Sequence, residues 1–369
     1  MMTFAVFALV FLSVLVGAHF FVFSSLAFFF ASFGILSRVS VLILSVVFPV
    51  NFLLASFFAH SVDNVVSRAW YALSAFSLGL VSNLFFLVLF GWGMILLLRL
   101  SGLRLETAVL GMFILAFGAA VSLYGISNAY RPIVKRVSVT IPNLPAQWKG
   151  KTIVQLSDIH LGPIYRTDFL RGVVNQVNSL HPDVVVITGD LFDGMDGNIG
   201  ALAGPLGDIR SGKGVFFVTG NHETYLGVAQ ALSALEGTGV EILDDRLVVV
   251  DGLAIIGISY PERGAEKDVP ELAAELSGSI SGTPNILLYH APTDIDRMKD
   301  SGINLQLSGH THRGQQFPFN FATHLVHKGY DYGSYDFGGY TLHTSSGVGT
   351  WGPPIRIGTR SEIVAITLE

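Results

Sequence analysis

The sequence predicts a membrane-spanning helical region followed by an α/β domain. Three observations carry that prediction. Charge is unevenly placed: residues 1–130 hold only Arg38, Arg68, Arg99, Arg104, Asp63 and Glu106, leaving 18 of the 22 basic and 25 of the 27 acidic residues to 131–369. The charge-poor region is built of apolar runs long enough to cross a bilayer. After Pro132 the pattern changes to short β-branched runs alternating with helical periodicity, the signature of an α/β domain.

An apolar stretch over 4–36 comes first, too long for a signal peptide and without its basic start or small-residue cleavage site. Further apolar runs follow at 39–59, 70–98 and 107–127. A bundle of four transmembrane helices is therefore expected over 1–130, the long first and third tilted or partly interfacial. Pro49 is placed to kink the second, and Gly91, Gly93, Gly111 and Gly118 to allow close helix packing. His19 and Asn83 are the main polar side chains at depth and are expected to hydrogen-bond between helices. No Asp, Glu, Lys or Arg lies mid-span, which argues against an ion pathway. Four spans return the chain to the side it started from. With the amino terminus inside, Arg68, Arg131, Lys135 and Arg136 lie inside and Arg38, Arg99 and Arg104 outside. That margin narrowly favours a cytoplasmic domain on a bacterial inner membrane.

Residues 131–150 read as a linker and a first strand (134–141), and 151–369 as the α/β domain proper. Strands are expected at 152–157, 184–188, 215–219, 285–289 and 304–308, with helices at 167–180, 197–210, 226–235, 269–276 and 293–299. Short strands follow the same logic at 240–243, 247–250 and 254–258, the last two joined by the turn signal Asp251-Gly252. Two more are expected at 340–344 and 362–368. The run Val184-Val185-Val186-Ile187 reads as a strand buried on both faces. Gly189 then permits a sharp turn, and Asp190 stands at the carboxyl end of that strand, where open α/β sheets place their ligands. The domain is mildly acidic, so nucleic acid is not an expected partner. The absence of cysteine rules out disulfides and thiolate metal sites.

Five strand ends carry polar clusters: Asp158 and His160; Asp190 and Asp193; Asn221 and His222; His290; His310 and His312. Imidazole, carboxylate and amide oxygen without thiolate suit manganese, iron or zinc. There are donors enough for two ions, and a pair about 3.5–4 Å apart clamps the attacking and leaving oxygens of an in-line displacement at phosphorus. The motifs stand as Asp158-Ile159-His160, Gly189-Asp190-Leu191-Phe192-Asp193, Gly220-Asn221-His222-Glu223, His290 and Gly309-His310-Thr311-His312. Through them the chain resembles the calcineurin-like metallophosphoesterase family over about 150–369. The flanks QLSDIHLG, GHTHRGQQ and SSGVGTWGPPIRIGTRSEI resemble its membrane-associated branch, with transmembrane metallophosphoesterase-domain proteins and some UDP-2,3-diacylglucosamine hydrolases.

The resemblance implies a four-layer α/β/β/α sandwich. It implies one metal on Asp158, His160, Asp190 and His312 and a second on Asp190, Asn221, His290 and His310, with Asp190 as the bridge. Manganese is the first expectation, with iron, zinc or magnesium as alternatives. Hydroxide held between the two ions is expected to attack phosphorus, with His222 protonating the leaving group and Asp193 orienting His222 and favouring its charged form. In that branch a glycine usually follows the last motif histidine; here it is Arg313, a candidate phosphate contact. Phe317, Phe319 and Arg356 are further candidates for substrate contact. The membrane region suggests a substrate resident in the lipid bilayer, first a lipid-linked phosphodiester or pyrophosphate. The alternatives are a soluble phosphodiester, or a membrane scaffold or transporter carrying a vestigial phosphoesterase domain.

Overall fold

The structure is a computed structural model that describes residues 2–34, 36–194 and 199–369. Its helices are α1 (Met2–Phe29), α2 (Arg38–Ser61), α3 (Val65–Leu100), α4 (Thr107–Tyr130), α5 (Thr167–Ser179), α6 (Ile199–Ala203), α7 (Asn221–Leu226), α8 (Val228–Ser233), α9 (Val269–Gly278), α10 (Ile295–Met298) and α11 (Phe319–Val326). Its strands are β1 (Ile133–Val139), β2 (Thr152–Leu156), β3 (Val184–Thr188), β4 (Val215–Val218), β5 (Val240–Ile242), β6 (Arg246–Val250), β7 (Leu253–Gly257), β8 (Asn285–Leu288), β9 (Leu305–Ser308), β10 (Gly333–Asp336), β11 (Thr341–Thr344) and β12 (Glu362–Leu368). The chain divides into two compact units: Met1–Ser127 with Gly352–Ile355, and Asn128–Trp351 with Arg356–Glu369.

In the first unit, α1 to α4 are each long and apolar enough to cross a membrane. The first apolar run is shorter as a helix than its composition suggests: α1 ends at Phe29, and Gly34 turns the chain at φ 59. The third is longer, 36 residues, or about 54 Å at 1.5 Å per residue, well beyond the bilayer core. Val22, Leu26, Phe29, Val81, Leu84, Val88, Ile95, Leu110 and Ile114 form the shared core. Three of the four expected glycines pack closely, Gly91 on Ile114, Gly111 on Phe29 and Phe30, and Gly118 on Leu84, whereas Gly93 faces open space. Asn83 donates to Ser122 Oγ across helices at 2.9 Å. His19 instead bonds within its own helix, to Leu15 O at 2.8 Å.

The second unit holds two six-stranded sheets, ordered β1-β12-β2-β3-β4-β5 and β10-β11-β9-β8-β7-β6. Strands β2 to β5 run parallel, as do β7, β8, β9 and β11. The sheets face each other across a core drawn from both, including Ile153, Val184, Val186 and Phe216 from the first and Ile255, Ile286, Leu288 and Leu305 from the second. Leu170, Val173 and Val177 of α5 cover the outer face of the first sheet. Val269, Ala273, Ile295 and Met298 of α9 and α10 cover the second. This is the four-layer α/β/β/α sandwich. β1 pairs along its length with β12, and Trp148 is fully buried, so 133–150 packs as part of this unit.

Helices depart most from expectation. The one expected at 226–235 is broken at Gly227, whose φ is 104, into α7 and α8. The helix expected from 197 is α6 followed by a 3₁₀ turn over Gly204–Asp208, and its first two residues lie outside the described residues. Strand β10 and helix α11 had no expectation. What positions the site is a buried seam between sheets: Gln155 Nε2 on β2 donates to Thr188 Oγ1 on β3 at 3.0 Å and to Ser308 O on β9 at 2.9 Å. It holds the carboxyl ends of β3 and β9, one from each sheet, against the same side chain.

Candidate metal centre

The five polar clusters follow the carboxyl ends of β2, β3, β4, β8 and β9 and converge there. Asp158, His160, Asp190, His310 and His312 all have positive φ, between 48 and 71. That left-handed backbone costs a non-glycine residue roughly 1–2 kcal/mol and persists only where surrounding contacts over-determine it. Here it turns each side chain off the end of its strand and into the seam. Two glycines make room: a Cβ on Gly220 would collide with the Asp190 carboxylate, and one on Gly309 with Ser157 Oγ and the Asp158 carboxylate.

Two groups of donors result. In one, His160 Nε2 lies 3.0 Å from His312 Nε2, and His312 Nε2 lies 3.5 Å from Asp158 Oδ1. In the other, His290 Nε2 lies 3.1 Å from Asn221 Oδ1, 3.2 Å from His310 Nδ1 and 3.2 Å from Asp190 Oδ2. The same Asp190 oxygen is 3.9 Å from His160 Nε2, so this carboxylate stands between the groups. Thr188 O accepts from His290 Nδ1 at 2.8 Å, which leaves Nε2 as the lone-pair donor facing the site. The Asp158 carboxylate accepts from His310 N.

Electrostatics mark the site as built for cations. Burial opposes charge on Asp190, but His290, with His222 and His160, prevails and holds its carboxyl well below the usual range. Burial, with Asp190 beside it, pushes the Asp158 carboxyl up. Burial and His290 lower the His310 imidazole to about 3, and burial with His160 and Arg356 lowers His312 well below its usual value. Burial opposes charge on His290, but Asp190 prevails and raises its imidazole to about 9. Neutral His310 and His312, beside buried carboxylates, an amide oxygen and imidazoles held by carboxylates, fit divalent cations. The donor set passes that test without a missing member.

Six expected residues, His222, Asp193, Arg356, Arg313, Phe317 and Phe319, lie outside the two donor groups. The carboxylate of Asp193 lies within 4.8 Å of a His222 ring nitrogen but faces His160 Nδ1 more closely, at 3.4 Å, and it is the main-chain carbonyl of Asp193 that accepts from His222 Nδ1, at 2.9 Å. The turn after β3 thus sends the side chain to one histidine and the backbone to the other. Burial and the neighbouring His160 hold the His222 imidazole below its ordinary value, opposite to the expected charging. Arg356 is fully buried, bonded to the carbonyls of Ser346 and Gly349 and lying behind His312, so in this arrangement it positions a candidate ligand and offers no exposed atom. The half-buried Arg313 lays its guanidinium over the Tyr332 ring, 4.2 Å from the centroid. Phe317 and Phe319 are exposed.

Glu223, the last motif residue, carries a positioning role that the residue types alone do not reveal. Its buried carboxylate accepts from the main-chain N–H of Gly220 at 2.7 Å, Asp190 at 2.9 Å and Phe192 at 3.0 Å. It staples the loop after β4 to the loop after β3. Glu223→Ala leaves three buried donors unpaired, each worth about 1–3 kcal/mol, and is expected to destabilise the unit by roughly 3 kcal/mol or more. Glu223→Gln keeps an acceptor and should lose about half as much. Thermal unfolding of the two variants side by side checks the ordering.

A calcineurin-like phosphoesterase family profile matches residues 151–314. An uncharacterized metallophosphoesterase of Campylobacter jejuni is 35% identical over 340 residues, covering 89% of this chain and 89% of its own. An uncharacterized metallophosphoesterase of Helicobacter pylori is 36% identical over 241 residues, 64% of each chain. The zebrafish (Danio rerio) transmembrane protein with metallophosphoesterase domain is 35% identical over 330 residues, 81% of this chain and 74% of that one. The likeness to the first and third extends well beyond the profile-matched segment. With the four-layer sandwich and the donor set at its strand ends, the chain belongs to the calcineurin-like metallophosphoesterase family, as a membrane protein.

Proposed function

We propose that the protein is a membrane-anchored phosphoesterase that binds two divalent ions and hydrolyses a phosphodiester or pyrophosphate bond of a lipid-linked substrate. The observation that carries the two-ion reading is the position of Asp190, whose Oδ2 serves both donor groups. Asp158, His160 and His312 would hold one ion and Asn221, His290 and His310 the other, with Asp190 shared. Manganese, iron or zinc suits this thiolate-free set of imidazoles, carboxylates and an amide oxygen. When bound, such ions supply the Lewis acidity that makes water nucleophilic near neutral pH and offsets phosphate charge.

The chain's own residues supply the rest. His222 N donates to Asp190 Oδ1 at 2.9 Å, and its Nε2 stands 4.0 Å from Asp190 Oδ2, at the rim of the donor groups. With Nδ1–H committed to Asp193 O, any proton that His222 gives away leaves from Nε2. Burial favours its neutral form, so protonated His222 is a ready donor to a leaving oxygen. His222→Ala is expected to lower kcat by about 10²–10⁴-fold on an alkyl phosphodiester and far less on a p-nitrophenyl ester, whose leaving group needs no proton. Metal content should stay near wild type. Equal losses on both esters would remove His222 from this role.

The membrane reading supports a lipid-linked substrate on the cytoplasmic face of a bacterial inner membrane. Turnover of membrane phospholipids and lipid-linked nucleotides by the full chain, with and without Mn²⁺, tests this. Hydrolysis of soluble esters alone would refute it.

A further inference from the structure

Helix α11 is amphipathic the wrong way round for a surface helix. Such helices bury their apolar stripe and expose the polar one. At about 100° per residue, Phe319, Phe321, Ala322, Leu325 and Val326 of α11 fall on one arc and Asn320, Thr323 and His324 on the other. The apolar arc faces outward: Phe319 is 46% exposed, Phe321 61%, Leu325 78% and Val326 75%, with Phe317 just before the helix at 52%. The polar arc is the anchored one. Asn320 packs so closely on Gly314 that no Cβ fits there, and its Oδ1 is buried. Thr323 is half-buried, and His324, whose side chain is 61% exposed, is tied down through Nδ1 to Asp331 Oδ1 at 2.7 Å.

Ten large hydrophobic residues are exposed among the described residues of the second unit, and five of them lie within 317–326. Two others, Tyr225 and Trp351, have rings 5.3 and 6.1 Å from that of His222. No acidic residue occurs over 309–330, which includes Arg313 and Lys328. The chain also enters β1 at Ile133, three residues after α4 ends at Tyr130. A connection that short keeps the start of β1 within about 11 Å of the end of α4 along the chain.

We propose that Phe317 and α11 lie in the headgroup–acyl boundary of the protein's own bilayer as an in-plane helix. Phenylalanine and leucine inserted to about 5–10 Å, with cations on the polar side, are the composition of such helices. The occupant of this face is a lipid surface containing anionic headgroups. Because Gly314 clamps α11 to the loop carrying His310 and His312, insertion holds the metal centre at the depth of lipid phosphates. That consequence rests on the lipid-linked reading of the substrate; the depth of the helix does not.

The sequence has no cysteine, so Leu325→Cys, Val326→Cys and the control Asp296→Cys each give a single labelling site. The full chain is reconstituted in phosphatidylcholine–phosphatidylglycerol nanodiscs, labelled with a nitroxide, and probed by power saturation with oxygen and a nickel chelate. Labels at 325 and 326 are expected to be oxygen-accessible and at least about fivefold less nickel-accessible than the label at 296. Equal nickel access at 326 and 296 would overturn the proposal. So would a sharp inter-spin distance between two copies, since a second chain would then cover the face. A second measurement uses Leu325→Ser/Val326→Ser, expected to lower kcat/KM on a bilayer phosphodiester about tenfold while turnover of soluble bis-p-nitrophenyl phosphate is unchanged. Membrane-buried labels without hydrolysis of any lipid-linked phosphate would defeat the substrate reading and leave the helix assignment standing.

Discussion

Replacing Asp190 with alanine is expected to strip divalent metal from both halves of the site together and to lower turnover by at least about a thousandfold. The reason is geometric. Oδ2 faces His290 at 3.2 Å and His160 at 3.9 Å, while Oδ1 accepts from the main-chain N–H of His222. One deletion therefore removes the shared ligand, the negative charge that favours cations in either group, and the tether of the proposed proton donor. Asp190→Asn separates these effects, because an amide oxygen still ligates weakly and still accepts from His222 N, but the charge is gone. Metal content by elemental analysis should fall from two ions to near zero in Asp190→Ala and to an intermediate value in Asp190→Asn. A variant that kept one full equivalent would show two independent sites and end the shared-ligand reading. Asp158→Ala makes the comparison complete: it belongs to one donor group only and should cost one ion more than the other.

The donor set was legible in the sequence because its signal is local. A β-branched run fixes a buried strand, and the polar residues that follow must emerge at its carboxyl end, as with Val184 to Asp190. Pairing over long sequence distance was not legible: β1 lies parallel to β12, more than two hundred residues away, and no local pattern records it. Asp193 shows a finer limit. Residue type says that a carboxylate is present after β3, but its side chain serves His160 while its carbonyl serves His222, and only the backbone course of that turn decides which. In α11, short length and an apolar arc turned outward defeat the rule that a helix buries its apolar face.

Arg356 is the residue whose substitution separates architecture from chemistry most sharply. It is fully buried, and among the described residues no carboxylate pairs with it directly. Nη2 donates to Ser346 O and to Gly349 O, each at 2.6 Å, Nη1 donates to His312 O at 3.3 Å, and Nη2 lies 3.3 Å from His312 Nδ1. Burial lowers the guanidinium to about 10, which still leaves it charged at neutral pH. The cation thus gathers the carbonyls of the loop after β11 and fixes the backbone and ring of one proposed metal ligand. Arg356→Met fills most of the volume but leaves these carbonyls unpaired, and should destabilise the unit by about 3–5 kcal/mol. That corresponds to a fall in Tm of roughly 10 °C for a unit of this size. Arg356→Lys keeps the charge but replaces a planar fork with a point donor that cannot reach Ser346 O and Gly349 O in the same geometry. It should fold, with a smaller drop in Tm, and bind metal about 10–100-fold more weakly in the group formed by Asp158, His160 and His312. Calorimetric titration with Mn²⁺ reads that loss independently of turnover. If Arg356→Lys bound both ions as tightly as wild type while losing activity, the guanidinium would act on substrate after all, and its burial behind His312 would have to open during the reaction.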